Sequence, residues 1–259
     1  MLETLFSMKD KTCVVTGGSR GLGFYMAKGF FAAGAKRVYI TARKAAECEA
    51  AAEELAEFGE CIALPGDLSS MAEIDELAER LTEREDSIDV LVNNAGCGWL
   101  EDFESFSEAG WDKVMDLNVK SPFFLTKALL PLLKHGASHQ ATASIINIGS
   151  IAGICGTSDT LSYAPSKAAI HQMTRNLASL LANDNIRVNA IAPGRFFSKM
   201  TEYASQDEEG YKKEIEMIPL HRWGGEVDIA GIAVMLASPA GGFMTGQIIV
   251  VDGGMTVVR

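Results

Sequence analysis

The chain has 259 residues, of which 47% are hydrophobic and 22% charged. That is the profile of a globular protein whose core needs no metal or disulfide staple. Basic side chains number 23 and acidic ones 34, a net charge of −11, which excludes the basic footprint of a nucleic-acid surface. Residues 47–86 hold fourteen acids, with Arg80 and Arg84 as the bases, and read as solvated helix faces. Cys13, Cys48, Cys61, Cys97 and Cys155 form no C-x-x-C pair and no zinc spacing. They read as reduced thiols of a cytoplasmic protein without a metal site. No secretory signal pattern opens the chain.

The first predicted strand is Thr12–Thr16, ending in a glycine-rich turn. A helix follows from about Arg20 to Ala33. Arg37–Thr41 is strand two, and Ala45–Phe58 has helical spacing. Cys61–Leu64 is strand three, followed by a helix capped at Ser69 or Ser70 and running to about Arg84. Ile88–Val92 is strand four. Helices are predicted over Phe106–Asn118 and Ser121–His135, with Pro122 at a first-turn position. Ser144–Ile148 is strand five, Tyr163–Leu181 a long helix and Ile186–Ile191 strand six. Residues 195–224 are less regular.

Ile229–Val251 carries no charge and is long enough to span a bilayer. Ser238-Pro239 and Gly241-Gly242 interrupt it, so it reads as a helix (Ile229–Ala237), a loop and a last strand (Gln247–Val251). No membrane and no nucleic-acid partner is expected. Apolar strands alternating with helices imply parallel βαβ units and right-handed crossovers. The fold class is α/β: a single-domain Rossmann fold over residues 1–259, with a doubly wound parallel sheet of about seven strands flanked by helices.

Thr16-Gly17-Gly18-Ser19-Arg20-Gly21-Leu22-Gly23 follows strand one and opens a helix. Such a turn lets backbone approach a pyrophosphate at the positive end of a helix. Sites for NAD place an acid at the end of strand two, on the ribose 2′-hydroxyl. Here that end reads Thr41-Ala42-Arg43, with no acid before Glu47. Arg20 and Arg43 are instead placed to meet a 2′-phosphate, so the expected cofactor is NADP(H).

Tyr163 and Lys167 share a helix face at i, i+4. A free phenol has a pKa of about 10, and a nearby ammonium is expected to lower it. Such a pair can exchange a proton with a carbonyl oxygen.

With these features in register, the chain resembles the short-chain dehydrogenase/reductase family over its full length. The likeness rests on Thr16–Gly23, Asp67, Asn93-Asn94-Ala95-Gly96, Asn118, Ser150, Tyr163-x-x-x-Lys167 and Pro193-Gly194. It implies a catalytic set of Asn118, Ser150, Tyr163 and Lys167. Tyr163 would be the proton donor and Ser150 the partner of the substrate oxygen. Lys167 would hold the nicotinamide ribose, and Asn118 would anchor a relay water. The implied cofactor groove takes in Gly17, Ser19, Arg20, Gly21, Leu22, Gly23, Arg43, Asp67, Leu68, Asn94, Ala95 and Gly96. It continues through Tyr163, Lys167, Pro193, Gly194, Phe196 and Ser198. Residues 192–201 and 218–224 carry a narrower likeness to NADPH-dependent 3-ketoacyl reductases of the rhamnolipid-pathway type.

The resemblance also implies a homotetramer, or a dimer, and a substrate lid at about 195–224. Phe196, Phe197, Met200, Tyr203, Met217 and Ile218 are the lid's apolar members, with Glu202, Asp207, Glu208 and Glu209 on its wet face. The substrate expected is a small-molecule ketone or alcohol. Two alternatives stand beside the reductase: an NAD(P)-dependent secondary-alcohol dehydrogenase working oxidatively, and a non-redox nucleotide-binding member of the fold. His171 reads as helix packing, and Trp99, Phe103 and Phe106 as core packing beside the substrate loop.

Overall fold

The computed structural model describes residues 1–156, 158–197 and 208–257, with backbone alone for residues 2, 3 and 208. Seven parallel strands form one sheet: β1 (Thr12–Thr16), β2 (Arg37–Thr41), β3 (Glu60–Ala63), β4 (Val90–Asn93), β5 (Ala143–Ile148), β6 (Ile186–Pro193) and β7 (Ile248–Val251). Their order is β3-β2-β1-β4-β5-β6-β7. The winding reverses between β1 and β4, which opens a crevice beyond their carboxyl ends. Every residue of β1, β4, β5 and β6 is buried, as parallel strands covered on both faces require. The edge strands β3 and β7 are half exposed. An edge tolerates Glu60, which pairs with Arg37 of β2 at 2.8 Å.

The helices are α1 (Leu2–Leu5), α2 (Gly21–Ala32), α3 (Ala45–Leu55), α4 (Met71–Thr82), α5 (Glu108–Met115), α6 (Ser121–His135), α7 (Tyr163–Leu181), α8 (Glu208–Glu216) and α9 (Glu226–Ala237). One face of the sheet is covered by α2, α3 and α9 through Met26, Phe30, Leu55, Ile229 and Leu236. The other is covered by α4, α6 and α7 through Ile74, Leu77, Leu129, Leu133 and Leu177. Each such side chain stabilises the fold by roughly 1.5–3 kcal/mol on burial. Two helices meet at Gly29 of α2, where a Cβ would lie 2.7 Å from that of Ala230 in α9.

Three local features differ from the sequence reading. The chain opens with the short α1. The predicted helix over 106–118 is shorter and ends in a π turn, Asp116–Lys120, before α6. Within 195–224 the charged stretch forms α8, whose Tyr211 and Ile215 pack with Ile218, Trp223 and Met255. The i, i+4, i+7 spacing of Tyr211, Ile215 and Ile218 gave that stretch an apolar stripe. The uncharged run ends up as most of α9, a 3₁₀ turn and β7. Among the described residues no helix is long and apolar enough to cross a membrane.

Candidate active site

Gly17 and Gly21 have φ of 64° and 57°, a left-handed backbone that disfavours side chains. A Cβ on Gly23 would overlap the Gly17 carbonyl oxygen, so the helix packs directly onto the turn. Thr16 locks this turn to the loop after β4. Its Oγ1 accepts from the N–H of Asn94 (2.9 Å) and of Ala95 (3.0 Å), and donates to Val92 O (3.2 Å). Asn94 Nδ2 donates back to Thr16 O (2.8 Å) and Gly17 O (3.1 Å). Both walls of the β1/β4 crevice are thereby one hydrogen-bonded unit. Arg20 at the N-cap of α2 makes no side-chain cap bond, and the first turn holds no acid. The N–H groups of this helix start are left for an anion, which fits a dinucleotide pyrophosphate.

Arg43 is exposed just past β2. Beside it, Arg20 Nη1 pairs with Glu47 Oε2 at 2.7 Å, and Lys44 Nζ with Glu47 Oε1 at 2.6 Å. Lys44 is a third cation at this edge that the motif reading missed, although it is the next residue after Arg43. Asp67 Oδ1 accepts from the N–H (3.1 Å) and hydroxyl (2.7 Å) of Ser69, closing the turn after β3. Leu68 is a core residue, so its backbone is what it offers a ligand.

The catalytic candidates converge at the carboxyl end of β5. Ser150 caps a 3₁₀ turn, Ile151–Gly153, and its Oγ accepts from Ala152 N at 3.1 Å. Ser150 also pairs with the Tyr163 phenol, an interaction that lowers the phenol pKa. Lys167 Nζ donates to Ile148 O at 2.8 Å and lies 5.5 Å from the Tyr163 ring centroid.

One electrostatic expectation is corrected. The Tyr163 pKa is raised, not lowered, because burial outweighs the Ser150 bond. Lys167 is itself desolvated, which pushes its pKa down to about 8, and its ammonium is directed at a backbone carbonyl. The phenol is therefore protonated at neutral pH, as a proton donor must be.

Asn118 sits at the middle of the π turn, 1% exposed. Its side-chain amide brackets the Cys97 backbone, accepting from Cys97 N and donating to Cys97 O, each at 2.9 Å. It also donates to Ser166 Oγ at 3.0 Å. Ser166 Oγ in turn donates to Tyr163 O at 2.6 Å. A Cβ on Gly96 would lie 3.2 Å from Asn118 Oδ1 and 3.6 Å from Lys167 Nζ, so the loop after β4 passes over both residues.

A second buried chain of bonds runs beneath them. Asn93 Nδ2 donates to Asn147 Oδ1 (2.9 Å), and Asn147 Nδ2 to Thr174 Oγ1 (2.9 Å) of α7. His171 joins the same face of α7, with Nε2 facing the N–H of Ser150 at 3.4 Å. The sequence reading placed it as packing. Its signal was the i, i+4, i+8 series Tyr163, Lys167, His171.

Pro193 ends β6, and Gly194 presses against Asp252, where a Cβ would come within 2.7 Å of that side chain. Phe196 is buried and bridges Gly224 in parallel. Phe197 is half exposed and packs on Trp223, with centroids 4.9 Å apart. Ile218 is buried with Trp223, and Met217 is exposed. Ser198, Met200, Glu202, Tyr203 and Asp207 lie outside the described residues, as does the side chain of Glu208. Phe103 is 78% exposed and Leu100 73%, so core packing is corrected for Phe103. Trp99 is instead covered by Lys113, whose Nζ is 4.6 Å from the ring centroid.

Residues 17–256 match the family model described as enoyl-(acyl carrier protein) reductase. A rhamnolipids-biosynthesis 3-oxoacyl-[acyl-carrier-protein] reductase of Pseudomonas aeruginosa is 46% identical over 98% of this chain and 99% of its own length. The 2-dehydro-3-deoxy-D-gluconate 5-dehydrogenase of Escherichia coli is 38% identical, over 98% of each chain. Among solved structures, the Pseudomonas aeruginosa RhlG/NADP active-site complex superposes with a TM-score of 0.95. It is 45% identical, over 97% of this chain and 98% of that one. With the motif residues gathered along the β1/β4 crevice and the end of β5, this agreement along nearly the whole chain makes it a member of the short-chain dehydrogenase/reductase family of oxidoreductases.

Proposed function

We propose that the protein is an NADPH-dependent reductase that converts a ketone to a secondary alcohol. The observation that carries this reading is the Ser150–Tyr163–Lys167 cluster at the sheet's carboxyl edge, joined to a glycine turn flanked by Arg20, Arg43 and Lys44. The turn, the uncapped start of α2 and Lys167 would hold NADPH, with the three cations on its 2′-phosphate. When bound, that cofactor supplies the hydride.

The chain's own residues supply the proton. Ser150 orients the ketone oxygen with its O–H, and Tyr163 donates its phenolic proton to that oxygen. Lys167, fixed by Ile148 O, places a cation beside the phenolate left behind. A relay water meets the backbone of Asn118 in this reading, because the side-chain amide is committed to Cys97 and Ser166.

Leu100, Phe103, Ile154 and Phe197 are exposed on the segments that follow β4, β5 and β6. Apolar surface at that edge favours an acyl-chain or other bulky apolar ketone, at roughly 0.8 kcal/mol per buried methylene. Residues 195–224 act as the lid over it. Phe243, Val250 and Val257, exposed at and around the β7 edge, supply apolar surface for a homotetramer, for which light scattering is the test. The functional test is NADPH consumption across a panel of 3-ketoacyl esters, cyclic ketones and keto-sugar acids, each repeated with NADH. Turnover with NADPH and apolar ketones is expected. Preference for NADH, or for keto-sugar acids, would overturn the cofactor or the substrate part respectively.

A further inference from the structure

One face of α7 carries more than the proton donor. Tyr163, Lys167, His171 and Thr174 fall on it at successive turns, and each of the last three grips a different point of the β5 end. Lys167 takes Ile148 O, His171 faces the N–H of Ser150, and Thr174 takes the Asn147 side chain. Of these, His171 is 4% exposed and belongs to no part of the chemistry above.

Its surroundings are built to its shape. A Cβ on Gly149 would collide with His171 Nε2, and a Cβ on Gly153 would come within 2.9 Å of Cε1. The ring thus fills the space that two glycines leave on either side of Ser150. The Gly153 backbone lies against the ring and raises its pKa, less than burial lowers it. With Nε2 accepting from Ser150 N, a neutral ring carries its proton on Nδ1.

We propose that His171 is a positioning residue for catalysis, a neutral imidazole strut that sets the direction of the Ser150 hydroxyl by holding the N–H that opens the 3₁₀ turn and filling the space between Gly149 and Gly153. Ser150 has three handles on this turn: its N–H, its carbonyl and its Oγ. The last two are held within the turn, by Gly153 N and Ala152 N. The N–H is the handle tied to the His171 ring of α7. Without it the turn keeps its shape but is free to tilt relative to Tyr163. A tilt of that kind harms the proton-transfer geometry and leaves the nucleotide crevice untouched.

This inference rests on the reductase reading for its kinetic arm and stands apart from it in its spectroscopic arm. In His171→Leu, kcat should fall about 10–100-fold, as for a displaced orienting group, while NADPH Kd changes less than about twofold. His171→Gln, whose amide can accept and donate at once, should recover most of kcat. His171→Asn, too short to reach Ser150, should behave like Leu and stands in for it if Leu fails to fold. Amide hydrogen exchange at Ser150 should be slow in wild type and His171→Gln and fast in the other two. Imidazole ¹⁵N shifts of the wild type should report a neutral Nδ1–H ring.

Near-native kcat in Leu or Asn, equal losses in Gln and Leu, or an Nε2–H tautomer in wild type would each overturn the proposal. Should no ketone be reduced by the wild type, the reductase reading falls, and the exchange and ¹⁵N data decide the strut by themselves.

Discussion

The two halves of the site are built from opposite materials. Around β5 and α7, Asn118, Lys167, His171 and Thr174 are each no more than 5% exposed, and each has a fixed hydrogen-bond partner. Around the end of β2, Arg20, Lys44 and Glu47 hold one another in water, with 54%, 61% and 39% of their side chains exposed. Buried polar groups are costly to disturb because an orphaned partner keeps its full desolvation penalty. Exposed ion pairs contribute little and are screened by salt. The chemistry is thus fixed by architecture, and cofactor choice is set by a surface that single substitutions can retune.

The comparison is tested most severely at Tyr163. Tyr163→Phe should lower kcat by roughly 10³-fold, the usual range for a lost general acid, with NADPH Kd nearly unchanged in a fluorescence titration. A comparable loss of NADPH binding would erase the division between the halves.

Next comes stability in acid. Burial, with Arg175 and Lys167 nearby, pushes the His171 pKa from 6.5 down to about 4. The unfolded chain therefore takes up this proton before the folded one does, and stability falls as pH drops from 6.5 toward 4. Urea melts at pH 7 and pH 4.5 should show His171→Gln losing less stability than wild type, by up to about 3 kcal/mol. Equal losses would mean that the ring is not held neutral.

On the exposed side, Arg43→Asp removes a charge-assisted bond and adds repulsion, so the NADPH-to-NADH ratio of kcat/KM should drop about 10–100-fold, from roughly 1.5–3 kcal/mol. An unchanged ratio would move the 2′-phosphate contact elsewhere.

The smallest effect is expected at Glu47, whose carboxylate occupies Arg20 and Lys44. Glu47→Gln should tighten NADPH about 2–5-fold, the scale of an exposed ion pair, and leave NADH unaffected. A weaker NADPH complex would show that Glu47 assembles the cations for the phosphate and does not compete with it.

The sequence made the buried half's scaffold legible because period and motif coincide there. The β-branched run Thr12–Thr16 before Gly17, Tyr163 spaced four from Lys167, and the Asn93–Gly96 turn each point to one backbone geometry. The strand boundaries found lie within two residues of those read, since turn residues mark them. The π turn at Asp116–Lys120 was not legible: a register change of one residue leaves no local signal. His171 was missed because a histidine on an apolar helix face looks the same whether it fills space or holds a backbone N–H. The direction of the Tyr163 pKa shift was misread for a similar reason. Spacing told that Lys167 was near, and only the fold told that both groups were out of water and that the ammonium was aimed at Ile148 O.

The π turn also puts α5 and α6 out of phase. One residue beyond the α-helical count rotates α5 by about 100° relative to α6, given 3.6 residues per turn. Removing Leu117 or Val119 would restore continuous α-helix without losing a side chain from the reaction. It would nevertheless swing Trp111 and Val114 off their present faces or turn the Asn118 amide away from Cys97. The segment is a fixed phase shifter, and its length in residues constrains this protein as strictly as the identity of any group in the site.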